Sequence, residues 1–370
     1  MNKKVLLVID NLGSGGAQNQ MTLLALELDK SDYEVTIYTY HPQDFFASRI
    51  SNTGIKHVRG EKKGKFSISI IRQLTRLIDE YKFDVAISYM DTPNLYLCLA
   101  SKFSKHHPKI FISYRTKTDF TRLSFLKLKQ KEWVNKVADG IISNSNHERE
   151  RWQNKYPKLK DKWVTIYNMV DLDKFVFHQK SKKSAPLRLM AVGKVRPLKN
   201  ADVLIEALFY LKQKGMSLPE VDWYGGRDFK QVDFRNSVKA IEKKIAEYNL
   251  SAHIKWFDPV NNLHELMPEY DALIHPSLWE GLPNAICEAL SAGLPVLASN
   301  ILDHPVLVKD QERGFLFDPN DPEELANAII KMQEMNEDEY DAMRKNCRSY
   351  AESSFLKSTR LAAYEKQFHG

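Results

Sequence analysis

Residues 5–17 read Val5-Leu6-Leu7-Val8-Ile9-Asp10-Asn11-Leu12-Gly13-Ser14-Gly15-Gly16-Ala17, an unbroken apolar run that ends in a glycine-rich turn. Residues 18–28 follow with apolar side chains at helical spacing. A strand, a tight turn and a helix in that order are the first half of a βαβ unit, and the pattern repeats along the chain. In the first half, strands are expected at 5–10, 34–40, 84–89, 109–114, 140–143 and 164–167, with helices at 18–28, 68–81, 94–102, 120–137 and 147–155.

Residues 172–186 are polar and close on Ala185-Pro186, which reads as a linker. A second series follows, with strands expected at 187–192, 220–224, 253–257, 271–275 and 295–298. Its helices are expected at 201–214, 235–248, 282–292, 322–335 and 337–352. The fold class is therefore α/β, two doubly wound domains in tandem. Such domains leave a cleft outside the carboxyl ends of their strands, where nucleotide-like ligands bind.

A chain of 370 residues with 43% hydrophobic composition has material for two cores. Cys98, Cys287 and Cys347 are odd in number and far apart, which excludes a disulfide framework and fits a reducing, cytoplasmic setting. The apolar run before Asp10 is too short for a signal-peptide core, and no later run is long enough to span a bilayer. Charge is uneven: residues 1–172 carry 28 Lys and Arg against 18 Asp and Glu, a balance of +10, and the remainder carries 26 against 29, or −3. A basic half attracts nucleic acid, anionic lipid or a phosphorylated small molecule.

Three stretches carry chemistry. The turn Gly13–Ala17 allows close backbone approach, and the helix after it offers N–H groups to a phosphate, although the spacing is not G-x-G-x-x-G. Val192-Gly193-Lys194-Val195-Arg196-Pro197-Leu198-Lys199-Asn200 places cations at a strand end, where they can stabilise a diphosphate leaving group. Pro276-Ser277-Leu278-Trp279-Glu280-Gly281-Leu282-Pro283-Asn284-Ala285-Ile286-Cys287-Glu288-Ala289-Leu290 is the most specific. Gly281 and Pro283 signal a helix start after a strand, so the N–H groups of 281–284 form an expected anion site. Glu288 lies about 12 Å farther along the helix from Glu280, in an otherwise apolar helix where an idle carboxylate would be costly.

Together these residues resemble the GT4-type retaining glycosyltransferases of bacterial glycan assembly. Glu280 and Glu288 form an E-x7-E element, joined by the glycine-rich first turn, the Gly193-Lys194…Lys199 loop and Tyr167-Asn168-Met169-Val170-Asp171 before the linker. The resemblance implies the GT-B fold, two Rossmann-like domains facing an interdomain cleft: an acceptor domain at 1–172, a linker at 173–186, a nucleotide-sugar domain at 187–352 and a C-terminal helix at 353–370 returning to the first domain. It implies transfer of a hexose or N-acetylhexosamine from a nucleotide diphosphate sugar, UDP foremost, to a glycan acceptor. Glu280, Lys194 and Lys199 would be catalytic. Gly281, Leu282, Pro283, Asn284 and Glu288 would hold the donor, and Gly15 and Gly16 would close on it from the first domain.

The sequence departs from the family pattern in places. Lys194 stands where an arginine is usual, keeping the charge without the bidentate fork. Ala17-Gln18 replaces Ala-Glu, so no role passes to Gln18. Ile112-Ser113-Tyr114-Arg115-Thr116 stands where many relatives have a histidine; Arg115 there would contact an acceptor phosphate or the donor and cannot act as a base.

No cofactor and no metal are expected. Asp171-Leu172-Asp173 and His106-His107 read as capping and loop residues rather than ligands. Residues 117–133 mix Phe120, Leu123, Leu126 and Leu128 with Arg122, Lys127, Lys129 and Lys131. That is a basic amphipathic segment able to pack on the sheet and to meet anionic lipid. The expected partner is a lipid-linked glycan acceptor at the cytosolic membrane face. A non-catalytic nucleotide- or glycan-binding module of the same fold is the alternative, and a nucleic-acid binder lacks any recognisable module.

Overall fold

The structure is a computed structural model that describes residues 3–369 except 32, 65, 117, 179–182 and 228–231, and at 232 and 233 the backbone alone. Lys117 of the basic segment and residues 179–182 of the expected linker lie outside the described residues. The chain divides into two compact units, one of residues 1–169 with 357–370 and one of residues 170–356.

The first unit runs β1 Lys3–Val8, α1 Gly16–Asp29, β2 Tyr33–Thr39, β3 Lys56–Arg59, α2 Ile68–Tyr81, β4 Val85–Tyr89, α3 Asp91–Phe103, β5 Lys109–Tyr114, α4 Phe125–Val137, β6 Gly140–Ser143, α5 Asn146–Lys155 and β7 Trp163–Thr165. All its strands are parallel, in the order β3-β2-β1-β4-β5-β6-β7. β1 shows why its run is apolar without alternation: Val5 and Leu7 face one core, Leu6 and Val8 the other. A parallel sheet covered by helices on both faces requires this.

The second unit runs β8 Arg188–Val192, α6 Ala201–Gln213, β9 Glu220–Tyr224, α7 Val232–Glu247, β10 Ile254–Phe257, α8 Leu263–Leu266, β11 Ala272–His275, α9 Asn284–Ser291, β12 Val296–Ser299, α10 His304–Val308, β13 Gly314–Phe317, α11 Pro322–Glu334 and α12 Glu337–Ser354. Its parallel sheet has the order β10-β9-β8-β11-β12-β13. The last helix, α13 Lys357–His369, belongs to the first unit. There Tyr364 Oη bonds Tyr89 Oη at 2.6 Å, and Leu361, Tyr364 and Phe368 join the core that α1 covers.

The short helices α8 and α10 were not expected, and four other elements differ from the sequence reading for identifiable reasons. β3 was not expected because Val58 is its sole apolar residue, as suits an edge strand. β13 was not expected because it opens on a glycine, and Gly314 is needed there: at φ +146, its Cβ would lie 1.9 Å from the Val296 carbonyl oxygen. The helix expected at 120–137 starts only at Phe125. Asp119 takes up the Thr121 N–H and hydroxyl at 3.0 and 2.6 Å, and Ser124 caps the helix proper. The helix expected from 282 starts at Asn284, with Pro283 at its N-cap.

Candidate active site

In each sheet the strand order reverses direction beside the first strand of the unit, and crevices form at such switch points. In the second unit the switch lies between β8 and β11, which pair Leu189 with Ala272 and Met190 with Leu273. The loops that leave these two strands, 193–200 and 276–283, therefore emerge side by side. The Leu278 N–H donates to the Leu198 carbonyl at 2.9 Å and ties them together.

Two glycines shape the first loop. Gly193, at φ +130, lets Lys199 pass, since a Cβ there would lie 2.8 Å from Lys199 Cε. Gly225, at φ +142, backs the loop so closely that its Cβ would fall 2.3 Å from the Gly193 carbonyl carbon. The sequence between them folds over Pro197–Lys199 in a short 3-10 turn, with Asn200 in the left-handed region. This presents the Lys199 side chain to the second loop.

There Lys199 Nζ donates to Glu280 Oε1 at 2.5 Å, with 23% and 20% of the two side chains exposed. The Ser277 hydroxyl donates to the same oxygen at 3.1 Å and lies 3.2 Å from His275 Nε2, which is itself 3.5 Å from Glu280. Burial pushes the Glu280 carboxyl up, but Lys199 and His275 more than offset it and hold the group well below the usual carboxylate range. Burial, reinforced by the Lys199 charge, lowers His275, so the imidazole is neutral. His304 stacks edge-on against it at 5.5 Å, gives one ring nitrogen to the Ser299 carbonyl at 2.8 Å and is lowered to about 3, chiefly by burial. Glu280 is thus a fixed carboxylate held by three groups.

Glu288 lies one helical turn into α9, among buried Cys287, Ala289 and Leu290. No described residue pairs with it, and burial pushes its carboxyl up to about 7. Gly281, Leu282 and Pro283 are buried and lead into α9, whose first turn holds no acidic residue. Proline has no N–H, which corrects the expectation that every residue of 281–284 offers a donor. Lys194 is exposed on the neighbouring loop. The structure thus brings Lys194, Lys199, Glu280 and residues 281–284 to one switch point, with Glu288 farther along α9.

Gly15, Gly16 and Arg115 lie in the first unit. Gly15 is the N-cap of α1, supplies no side-chain cap, and precedes a first turn without an acidic residue. Arg115 follows β5, is 8% exposed, stacks 4.5 Å from the Tyr89 ring and donates from Nη2 to Asn168 Oδ1 at 2.6 Å. His106 bonds the Phe83 carbonyl at 2.7 Å, and the Asp171 carbonyl accepts from the Lys174 and Phe175 N–H groups at 3.0 Å. Among the described residues no three His, Cys, Asp or Glu side chains gather as metal ligands. Sequence reasoning missed His275, Ser277 and His304. The signal for the first two was present, since Ser277 lies in the quoted stretch and His275 directly precedes it.

This is a two-unit, parallel-sheet protein with a lysine–carboxylate pair at a sheet switch point and a second carboxylate farther along the helix that follows. Comparison with known families agrees: the description "Glycosyltransferase Family 4" matches residues 14–174 and "Glycosyl transferases group 1" matches residues 173–353. The chain belongs to the GT4-type glycosyltransferases of glycan biosynthesis, with the GT-B fold. Among its relatives is the Escherichia coli UDP-Gal:alpha-D-GlcNAc-diphosphoundecaprenol alpha-1,3-galactosyltransferase, 25% identical over 78% of this chain and 77% of the relative. Similar solved structures include Anabaena HepE in complex with UDP-glucose, with TM-score 0.83, 18% identity and 99% of both chains covered. A glycosyltransferase from Rickettsia africae has TM-score 0.82 and 18% identity, covering 99% of this chain and 98% of its own.

Proposed function

We propose that the protein is a retaining hexosyltransferase that moves a hexose or N-acetylhexosamine from a UDP-sugar to a lipid-linked glycan acceptor. The observation that carries the reading is the Lys199–Glu280 pair with Glu288 beyond it. A cation beside a fixed ionised carboxylate suits the diphosphate and the hydroxyls of the sugar it carries, and a carboxylate that no described residue pairs with suits a ribose. The same integrity favours an enzyme over a non-catalytic binding module of this fold.

Transfer with retention then proceeds on one face of the sugar. The anomeric carbon's bond to the diphosphate oxygen breaks with its electron pair going to UDP, and the acceptor oxygen bonds that carbon from the same side. The acceptor's proton passes to the departing phosphate oxygen, so no side-chain base is required. Lys199 and Lys194 stabilise the charge on UDP, which gives the site a source of positive charge without a resident metal ion. Glu280 fixes the donor sugar, and its depressed pKa keeps it an acceptor of hydrogen bonds throughout.

A lipid-linked acceptor has a counterpart in α4. The most exposed apolar side chains there are Phe125 and Leu126, 71% and 78% accessible, with Trp133 less so at 36%. Phe120, Leu123 and Leu128 are partly buried, and Lys131, expected on the outer face, is buried and paired with Asp91. Arg122, Lys127 and Lys129 are exposed around the apolar pair. Two apolar side chains within a basic rim suit an anionic bilayer surface. No helix among the described residues is long and apolar enough to cross a membrane.

The test is incubation with UDP-glucose, UDP-galactose and UDP-N-acetylglucosamine, each with a lipid-diphosphate-linked saccharide, followed by NMR of the new anomeric centre. An α-linked product supports the reading; a β-linked product overturns retention.

A further inference from the structure

Arg115 is a buried cation without an anion among the described residues. Among the described residues its Nε and Nη1 have no hydrogen-bond partner, and it interacts with the neutral Asn168 amide and the Tyr89 ring. Guanidinium does not deprotonate in proteins, so the charge is permanent, and a lone charge removed from water is among the costlier features a fold can carry. An apolar side chain would serve stability better at this position.

The surroundings hold Arg115 in place. Asn168 precedes Met169, whose N–H and carbonyl are both bonded to the Gln20 amide, at 2.7 and 2.9 Å. Gln20 lies near the start of α1, whose N-terminus carries no side-chain cap and no acidic residue. Arg115 is thus linked to α1 through Asn168, the Met169 backbone and the Gln20 side chain.

We propose that Arg115 anchors a phosphate-binding site in the first unit. The inference rests on the glycosyl-transfer reading, in which two participants carry phosphate: the donor's diphosphate and the diphosphate of a lipid-linked acceptor. A phosphate supplies the acceptors that Nε and Nη1 lack, and charge-assisted bonds of this kind are the strong ones.

The probe is inorganic pyrophosphate, titrated by calorimetry into the full chain carrying Lys199→Ala, so that the second unit's leaving-group cation does not contribute. Arg115→Met in that background lowers pyrophosphate affinity about tenfold or more, the value of one charge-assisted contact, and Arg115→Lys restores part of it. Arg115→Met alone also raises the melting temperature of the ligand-free chain, because the uncompensated charge is gone. Unchanged pyrophosphate affinity, or a lower melting temperature in the folded variant, would mean that Arg115 is structural and would overturn the proposal. UDP affinity of Arg115→Met separates the two sources: a fall assigns the donor's diphosphate, and an unchanged value assigns the acceptor's. Wild-type UDP binding is the control for the broader reading, which fails separately if UDP does not bind.

Discussion

Lys199 Nζ and Glu280 Oε1 stand 2.5 Å apart, and this pair joins the loops that leave two adjacent strands of the second sheet. It keeps Glu280 ionised against the pull of burial. On the proposed reading, a donor entering here would meet a carboxylate already charged and oriented, so that little reorganisation would accompany transfer.

Lys199→Ala removes that cation together with the role proposed for it at the leaving group. Burial then acts on Glu280 with less opposition, so its pKa rises. We expect turnover to fall by about 10²-fold or more and UDP affinity by about tenfold, in line with loss of one charged group at a developing anion. Steady-state rates with UDP titrations check this; an unchanged rate and affinity would remove Lys199 from the mechanism.

Glu280→Gln keeps the shape and loses the charge. Turnover should drop by at least about 10²-fold, the scale of misplacing a substrate. The circular dichroism spectrum should be unchanged, because the pair is only half-buried and Lys199 retains access to water. Undiminished turnover would sink the assignment of Glu280.

Glu288 has a folded pKa of about 7, above its ordinary value of 4.5. For an acid raised in this way the native state holds the extra proton, so stability falls as pH rises from 4.5 through 7. Ribose hydroxyls donating to the ionised form would pull that pKa down, so UDP affinity in the wild type should increase between pH 6 and 8. Glu288→Gln should flatten the pH dependence of both stability and affinity. Parallel wild-type and variant curves across that range would show that Glu288 does not meet the nucleotide.

Phe125→Ser combined with Leu126→Ser should abolish flotation with vesicles containing phosphatidylglycerol and leave the melting temperature and UDP affinity unchanged, because both side chains are exposed. Neutral phosphatidylcholine vesicles should bind the wild type weakly. Equal flotation of wild type and double variant would remove α4 from the membrane contact.

Strand and helix order was legible because apolar runs such as Val5–Val8 serve two covered faces, which leaves a strong pattern. β3 was illegible, since an edge strand spelled Lys-His-Val-Arg carries no periodic signal. At the candidate site, Lys199, Glu280 and Glu288 could be named from their stretches of sequence together with the family resemblance. That Lys199 bonds Glu280 could not, since contact between residues 81 apart in sequence depends on the pairing of β8 with β11. That two buried nitrogens of Arg115 find no hydrogen-bond partner among the described residues was equally beyond the sequence. A buried arginine resembles an exposed one until the elements around it are placed.

The most direct test of the central claim, that the second unit is a nucleotide-sugar site built on Lys199, Glu280 and Glu288, is the melting temperature of the wild type against rising UDP with EDTA present. The account predicts a rise that grows with UDP concentration, as for a ligand binding only the folded state, and that shrinks in Lys199→Ala. A melting temperature that ignores UDP, or that shifts equally in Lys199→Ala, would contradict it.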